Sequence, residues 1–402
     1  MHMKKIAIFT MGTRGDVQPY LYLAKALQEA GVSVVLGTHP CWKGLAGEYG
    51  VPCAPVGPDI DIEYEAACIR GKTKNPMISM LKTMNFVFRI IQNSSGQIYD
   101  ICSDKDIVIV SHSNMGAVEA TMLGIPIVNV TLQTEMIPQE GKKVSAFNRL
   151  IGKIINGQML KPYNKILKQY GHKKINNMDE ISSKYLNLIP ISRYVLPHNP
   201  YWAKKNKLVG YWYMEEKEYV LPKEIADFLQ KGEPPVILAL GAMSFESDTE
   251  IQKLEQFIHA FKRTGMRALI QGFVKSLTDY QLPETMMAIG SVPHSWLFRQ
   301  GYCVIHHCGF GTASAAMIYG IPSIPVPHIL DQFSFSNTLY SLGVSTQPVR
   351  SSELSEERII QAISEMKQNY TKIKENVTSI SEKIQSEHGL ATAVELICSM
   401  EE

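Results

Sequence analysis

Short apolar, β-branched runs alternate along this chain with longer stretches in which apolar residues recur every three or four positions. In the first half the order is KKIAIFT (4–10), VQPYLYLAKALQEAG (17–31), VSVVLG (32–37), then DIVIVS (106–111), NMGAVEATMLG (114–124) and IPIVNV (125–130). A continuous apolar run predicts a strand buried on both faces, and the three-to-four spacing predicts a helix buried on one. The alternation is that of βαβ units on a parallel sheet, an α/β class with helices on both faces. From Leu132 to Ser192 the pattern loosens into polar, Lys- and Asn-rich helix, and YLNLIPIS (185–192) is expected to be the last strand of that sheet.

After YVLPHNPYWAKK and KGEPPV the rhythm restarts with VILALGAMS (236–244), a helix near Glu250 to Thr264, MRALIQG, MMAIGSV, YCVIHH, GTASAAMIYG and IPSIPV. A second Rossmann-like sheet is expected there. A chain of 402 residues is too long for one typical core, which agrees with two domains. The expected division is 1–205, a linker over 206–233, a second domain over 234–380, and a C-terminal helix over 381–402 that packs back toward the first domain. Ligands of such sheets bind at the carboxyl ends of the strands, so the expected site is the cleft between the domains.

Composition narrows the classes. Forty Lys and Arg against 38 Asp and Glu leave a net charge of +2 with both signs interspersed, no footprint for nucleic acid. Seven scattered cysteines without a CxxC pair suggest neither a disulfide framework nor a zinc site, and a reducing, cytoplasmic home is expected. No apolar run approaches the length of a membrane span, and no signal-peptide order opens the chain.

Two loops carry chemistry. Residues 304–333, VIHHCGFGTASAAMIYGIPSIPVPHILDQF, end a strand at His306-His307, turn through Gly309, Phe310 and Gly311, and open a small-residue helix at Thr312. Free amides and the macrodipole at such a start suit an anion, and His307 adds an imidazole. Just upstream, GSVPHSWLF brings Trp296 and the backbone of Val292, a ring and an edge that could hold a base. The other loop is MGTRGDVQP near the start, where Gly12, Thr13, Arg14 and Gly15 surround Asp16.

These segments resemble the nucleotide-sugar-dependent glycosyltransferases of the two-Rossmann-domain GT-B fold, in particular the family 1 branch of sterol glucosyltransferases and of bacterial enzymes that glycosylate glycopeptides, macrolides and lipids. The resemblance runs in register through GTRGDVQP, VGYW (209–212), VPHSWLF, HHCGFGT and GIPSIPVPHILDQ. It implies inverting transfer of a hexose, glucose first, from a UDP-sugar to a hydroxyl of a small, largely apolar acceptor such as a sterol, polyketide, macrolide or lipid. By this resemblance Asp16 is the general base, with His112 as an orienting partner. His307, Gly309, Phe310, Gly311 and Thr312 meet the diphosphate, Val292 and Trp296 the base, Asp331 and Gln332 the sugar hydroxyls. Gly241 matches a phosphate position, but Ala242 stands where the family often has serine, so Ser244 would have to supply that hydroxyl. Ala315 replaces the ribose-binding glutamate of plant and animal members. Acceptor linings are expected from Met77, Met80, Met84, Phe88 and Met136. The UDP-sugar is a co-substrate; no cofactor or metal is implied, and the partners are the donor and acceptor, with a monomer or homodimer as assembly.

Plainer readings stand beside these. Asp16 suits a helix N-cap, Asp331-Gln332 could cap the helix that follows, Trp296 could be packing, and His306 is read as a core histidine. Met and Phe at helical spacing are often core. Glu119 lies near His112 on the same connection. Asp59-Ile60-Asp61 forms DxD, a metal-binding pattern of another glycosyltransferase fold, in a connection far from the nucleotide elements. Two rival functions remain: a non-catalytic nucleotide-sugar-binding homologue, and a dinucleotide-dependent oxidoreductase, against which MGTRGD lacks the GxGxxG pattern.

Overall fold

A computed structural model describes residues 3–71, 76–132, 134, 137, 139, 146–215, 219–241, 250–273, 277, 280–290 and 292–400. They form two compact units, one of Met1–Tyr213 with His388–Glu402, the other of Met214–Glu387.

Among the described residues, the first unit holds a seven-stranded parallel sheet in the order β3-β2-β1-β4-β5-β6-β7. Its strands are β1 (Lys5–Phe9), β2 (Ser33–Thr38), β3 (Cys53–Pro55), β4 (Ile107–Val110), β5 (Ile127–Val130), β6 (Leu186–Ile189) and β7 (Asn206–Leu208). Each strand sends alternate side chains to opposite faces. Ile6 and Ile8 of β1 meet Val17, Tyr20, Leu21 and Ala24 of the helix Arg14–Glu29 on one face. Ala7 and Phe9 meet Val108, Val110, Ile98 and Tyr163 on the other. Burial of a side chain such as Phe9 contributes about 2–3 kcal/mol, which is why an all-apolar strand needs a helix on each side.

Two sequence expectations change here. YLNLIPIS is not the last strand, because Asn206–Leu208, expected in the linker, pairs with β6 as β7. Only three residues long, β7 carries too little apolar pattern to announce itself; Asn187 and Asn206 pair side chain to side chain across it at 2.7 Å. The tail also divides later than expected, after Glu387 rather than after residue 380. The helix Glu356–Gln385 belongs to the second unit, and Gly389–Cys398 lies on the helix Arg14–Glu29 in the first, with Ala393 and Ile397 in its core. There Lys4 donates to the carbonyls of Cys398 and Met400.

In the second unit the order is β10-β9-β8-β11-β12, again parallel: β8 (Val236–Ala239), β9 (Ala268–Gln271), β10 (Met286–Ile289), β11 (Cys303–His306) and β12 (Ser323–Pro325). The helix Lys223–Gln230, also expected in the linker, buries Ile225 and Phe228 in this unit's core. The helix Phe310–Ile318 follows β11. Its last carbonyls are clamped from the helix Glu356–Gln385: Ser381 and Gln385 donate to Ile318 and Lys374 to Gly320, the cation standing at the negative end of the helix dipole.

Both sheets reverse their strand order once, between β1 and β4 in the first and between β8 and β11 in the second. At such a reversal the two flanking loops diverge to opposite faces and leave a crevice at the carboxyl ends.

Candidate active site

In the first unit the loop after β1 carries Gly12 to Asp16 and the loop after β4 carries His112. The helix begins at Arg14, so Thr13 is its N-cap and Asp16 stands at the third helical position, not at the cap. Thr13 N–H and Oγ1 donate to Asp16 Oδ2 at 2.8 and 3.0 Å, and the Asp16 amide donates to the Thr13 carbonyl at 2.9 Å. This reciprocal cap contributes about 1 kcal/mol to the helix start. The second oxygen is left for other work: Oδ1 faces His112 Nε2 at 3.9 Å, with both side chains about one-third exposed.

Gly12 makes this arrangement possible. It has φ +146°, and a Cβ there would stand 2.8 Å from Asp16 Cγ and closer still to Oδ2. No other residue combines that backbone with that contact. Trp42, which the sequence reading passed over, donates its indole N–H to the Gly12 carbonyl at 3.1 Å. Arg14 Nε donates along the helix to Gln18 at 3.1 Å. Beneath the loop Tyr20 is wholly buried; burial first, and then the Asp16 charge, raise its hydroxyl well above the usual range. Glu119 is buried too, its carboxyl raised by burial while Ser95 Oγ donates to it at 2.5 Å.

In the second unit the chain leaves β11 through Cys308, at φ +62°, and the next helix starts at Phe310 with Gly309 as N-cap, two residues earlier than Thr312. Thr312 is therefore the third helical residue and is buried. His307 fills the space between two glycines. A Cβ on Gly241, which has φ +71°, would lie 2.8 Å from its Cε1; one on Gly309 would lie 3.2 Å from Cδ2 and from Cε1 and nearer still to Nε2. Burial lowers the His307 imidazole to about 4, opposed by a bond with the Ala239 backbone, so it is neutral at pH 7. His306 is fully buried, accepts from the Cys308 amide at 3.2 Å, and is lowered to about 3, a core histidine as its plain reading has it. His328, not singled out by sequence, lies near His307 and is lowered to about 3 by burial and then by that neighbour.

Gln332 Oε1 accepts from the backbone amides of His328 and Ile329 at 2.9 and 3.3 Å, so the amide oxygen caps the helix Leu330–Ser341 and only its NH2 group remains for a ligand. Asp331 stands beside it in the first turn. Trp296 packs tilted on Tyr219 at 5.7 Å, and Val292 is buried with its carbonyl accepting from Gln271 at 3.4 Å. Phe310 packs edge-on against Phe335. Phe88 meets Tyr163 edge-on at 5.8 Å, a core contact, while Met84 is 37% exposed. Ala242, Ser244 and Met136, and the side chains of Met77 and Met80, lie outside the described residues. Asp61 of the DxD run caps a helix, accepting from the Tyr64 amide at 2.9 Å. Among the described residues no three His, Cys, Asp or Glu side chains converge as metal ligands, and no helix is long and apolar enough to cross a membrane.

Comparison with known proteins matches two separate stretches of the chain. Residues 6–129 match the glycosyltransferase family 28 N-terminal domain, and residues 274–396 match the erythromycin biosynthesis protein CIII-like C-terminal domain. The fold of this chain is the GT-B fold. Over 98% of its length it is 28% identical to a sterol 3-beta-glucosyltransferase of Komagataella phaffii, and over 97% it is 26% identical to one of Arabidopsis thaliana. The chain spans 34% of the length of the first relative and 67% of the second. A glycosyltransferase from Streptomyces sp. SF2575, solved with thymidine diphosphate, shares the fold at a TM-score of 0.69 and 18% identity, with 99% of this chain and 100% of that one covered.

Proposed function

We propose that this chain transfers a hexose, glucose first, from a UDP-sugar to the hydroxyl of a small, largely apolar acceptor, a sterol foremost, with inversion at the anomeric carbon. In this reading the acceptor hydroxyl loses its proton to Asp16 Oδ1 as its oxygen bonds to the anomeric carbon, and the bond from that carbon to the diphosphate oxygen breaks, releasing UDP. His112 orients the carboxylate. His307, Gly241 and the helix start at 309–312 hold the diphosphate and the charge that develops on it, Val292 and Trp296 the base, Asp331 and the Gln332 amide group the sugar hydroxyls. The reaction as written calls on no metal or cofactor, and a cytoplasmic location is part of the proposal.

The observation that carries the reading is the division of labour on Asp16: Oδ2 is fixed by Thr13 while Oδ1, the basic atom, faces His112. The sterol names of the relatives support the acceptor class, and the thymidine diphosphate bound by the Streptomyces enzyme supports a second donor, a dTDP-sugar.

Mass spectrometry of the purified protein with UDP-glucose, dTDP-glucose and a panel of hydroxylated acceptors tests the substrates, and Asp16→Asn tests the chemistry. The amide keeps the cap but loses the base, so turnover is expected to fall about 100-fold or more with UDP affinity unchanged. Equal turnover of the variant removes Asp16 as base.

A further inference from the structure

We propose that Tyr163 is a positioning residue of this enzyme, one that holds the loop bearing His112 and so keeps that imidazole facing Asp16; the proposal rests on reading Asp16 as the base. Tyr163 lies on the helix Ala146–Gln169 and is 2% exposed. Its hydroxyl donates to the carbonyl of Ser113, the residue next to His112, at 3.3 Å, and also bonds the side chain of Asn114. Burial raises the phenol far above neutral pH, with the nearby Glu119 charge adding to the effect, so the donor proton stays in place.

The loop needs such a tie. Between Val110 and the helix Ala117–Leu123 the chain reverses in six residues, with Asn114 at φ +50° and Gly116 at φ +87°. A non-glycine residue in the left-handed region costs roughly 1 kcal/mol or more, and it persists only where its surroundings over-determine it. Bonds within the loop do part of this: Asn114 N–H donates to the Ser111 carbonyl, and the Ser111 and Ser113 hydroxyls pair at 2.9 Å. They fix the loop's shape but not where it stands. Ser111 N–H, donating to the Phe9 carbonyl at 3.0 Å, anchors its start to β1, and Tyr163 anchors its middle to a helix 50 residues farther along the chain.

Position matters because His112 stands 3.9 Å from Asp16, beyond a direct hydrogen bond, where a small displacement decides whether the two interact. The Tyr163 ring also packs edge to face with Phe88 of the helix Pro76–Asn93, in one of the segments expected to serve the acceptor. A shift of that helix therefore reaches the His112 loop through one side chain.

The test is a double-mutant cycle of Tyr163→Phe and His112→Ala, assayed with UDP-glucose and a 3β-hydroxysterol and read as kcat, acceptor KM, UDP affinity and the pH dependence of kcat. Phenylalanine keeps the ring and removes only the hydroxyl. Tyr163→Phe is expected to lower kcat about 3- to 10-fold, the worth of one hydrogen bond, to displace the acid limb of the pH profile, and to leave UDP affinity as it was. In the His112→Ala background it should have no further effect. Losses in kcat that multiply, or a Tyr163→Phe enzyme with unaltered kcat and pH profile, overturn the proposal while leaving the pair intact. Unchanged turnover in His112→Ala removes the pair and the proposal with it.

Discussion

Replacing Gly309 by alanine tests the proposed role of His307 at the diphosphate alongside the stability of the fold. Gly309 has φ −59° and ψ 148°, a backbone that any residue adopts, so a methyl group brings no strain of its own. What it brings is a Cβ at 3.2 Å from two carbons of the His307 ring and closer to Nε2, where carbon contacts settle at about 3.5–4.0 Å. The imidazole has to move by up to about 1 Å, and Gly241, which carries no side chain, leaves it room on the other side. If His307 bonds the diphosphate, losing that charge-assisted bond costs about 1.5–3 kcal/mol, or about 10- to 150-fold in affinity. The fold loses the difference between glycine and alanine at an N-cap and the cost of shifting the packed ring, together about 1–3 kcal/mol. Calorimetric titration with UDP at pH 7 reads the first quantity and thermal unfolding the second. UDP binding as tight as in the unaltered chain refutes the assignment of His307 to the diphosphate.

Further expectations follow from the same geometry. Trp42→Phe keeps the packing but removes the donor to the Gly12 carbonyl, so kcat should fall several-fold with UDP affinity unchanged; identical kcat would show that the loop needs no such anchor. His306, His307 and His328 are held neutral in the fold, at about 3, 4 and 3, against an ordinary value near 6.5, so the unfolded chain takes up protons first as pH falls. Their contribution to the second unit is complete above pH 6.5 and is lost progressively below it, by up to about 2 kcal/mol each at pH 5. Glu119, raised by burial, acts with the opposite sign in the first unit, its contribution present at low pH and lost as pH rises. Calorimetric melts at pH 7.5 and 5 should show the second unit's transition move down the more; a transition that does not move contradicts the burial of these imidazoles.

The repeated alternation of apolar runs and one-sided helices settled the α/β class, the parallel sheets and the existence of two of them, because both faces of a buried strand must be apolar and that demand is local. It also drew attention to Asp16, His307 and Asp331-Gln332, since loops after strands stand out as polar interruptions of the pattern. Periodicity placed the helix Glu250–Thr264 at its observed bounds. It missed β7, which is held by an Asn–Asn pair and edge pairing rather than by an apolar run.

Strand order belongs to the tertiary structure. That the loops after β1 and β4 are neighbours, and likewise those after β8 and β11, depends on where each sheet reverses, and no local pattern encodes that choice. From it come the approach of His112 to Asp16, about 100 residues apart in the chain, the imidazole of His307 seated between Gly241 and Gly309, and the reach of Tyr163 back to Ser113. The roles shared by one side chain were equally hidden. Residue types alone offered Asp16 as cap or base and Gln332 as cap or sugar reader. Asp16 caps the helix with one oxygen and faces His112 with the other, and an amide whose oxygen is spent on the helix leaves Gln332 only its NH2 group. Chemistry is written in the sequence residue by residue; which atom of each residue is left to perform it is decided only when distant segments fold against one another.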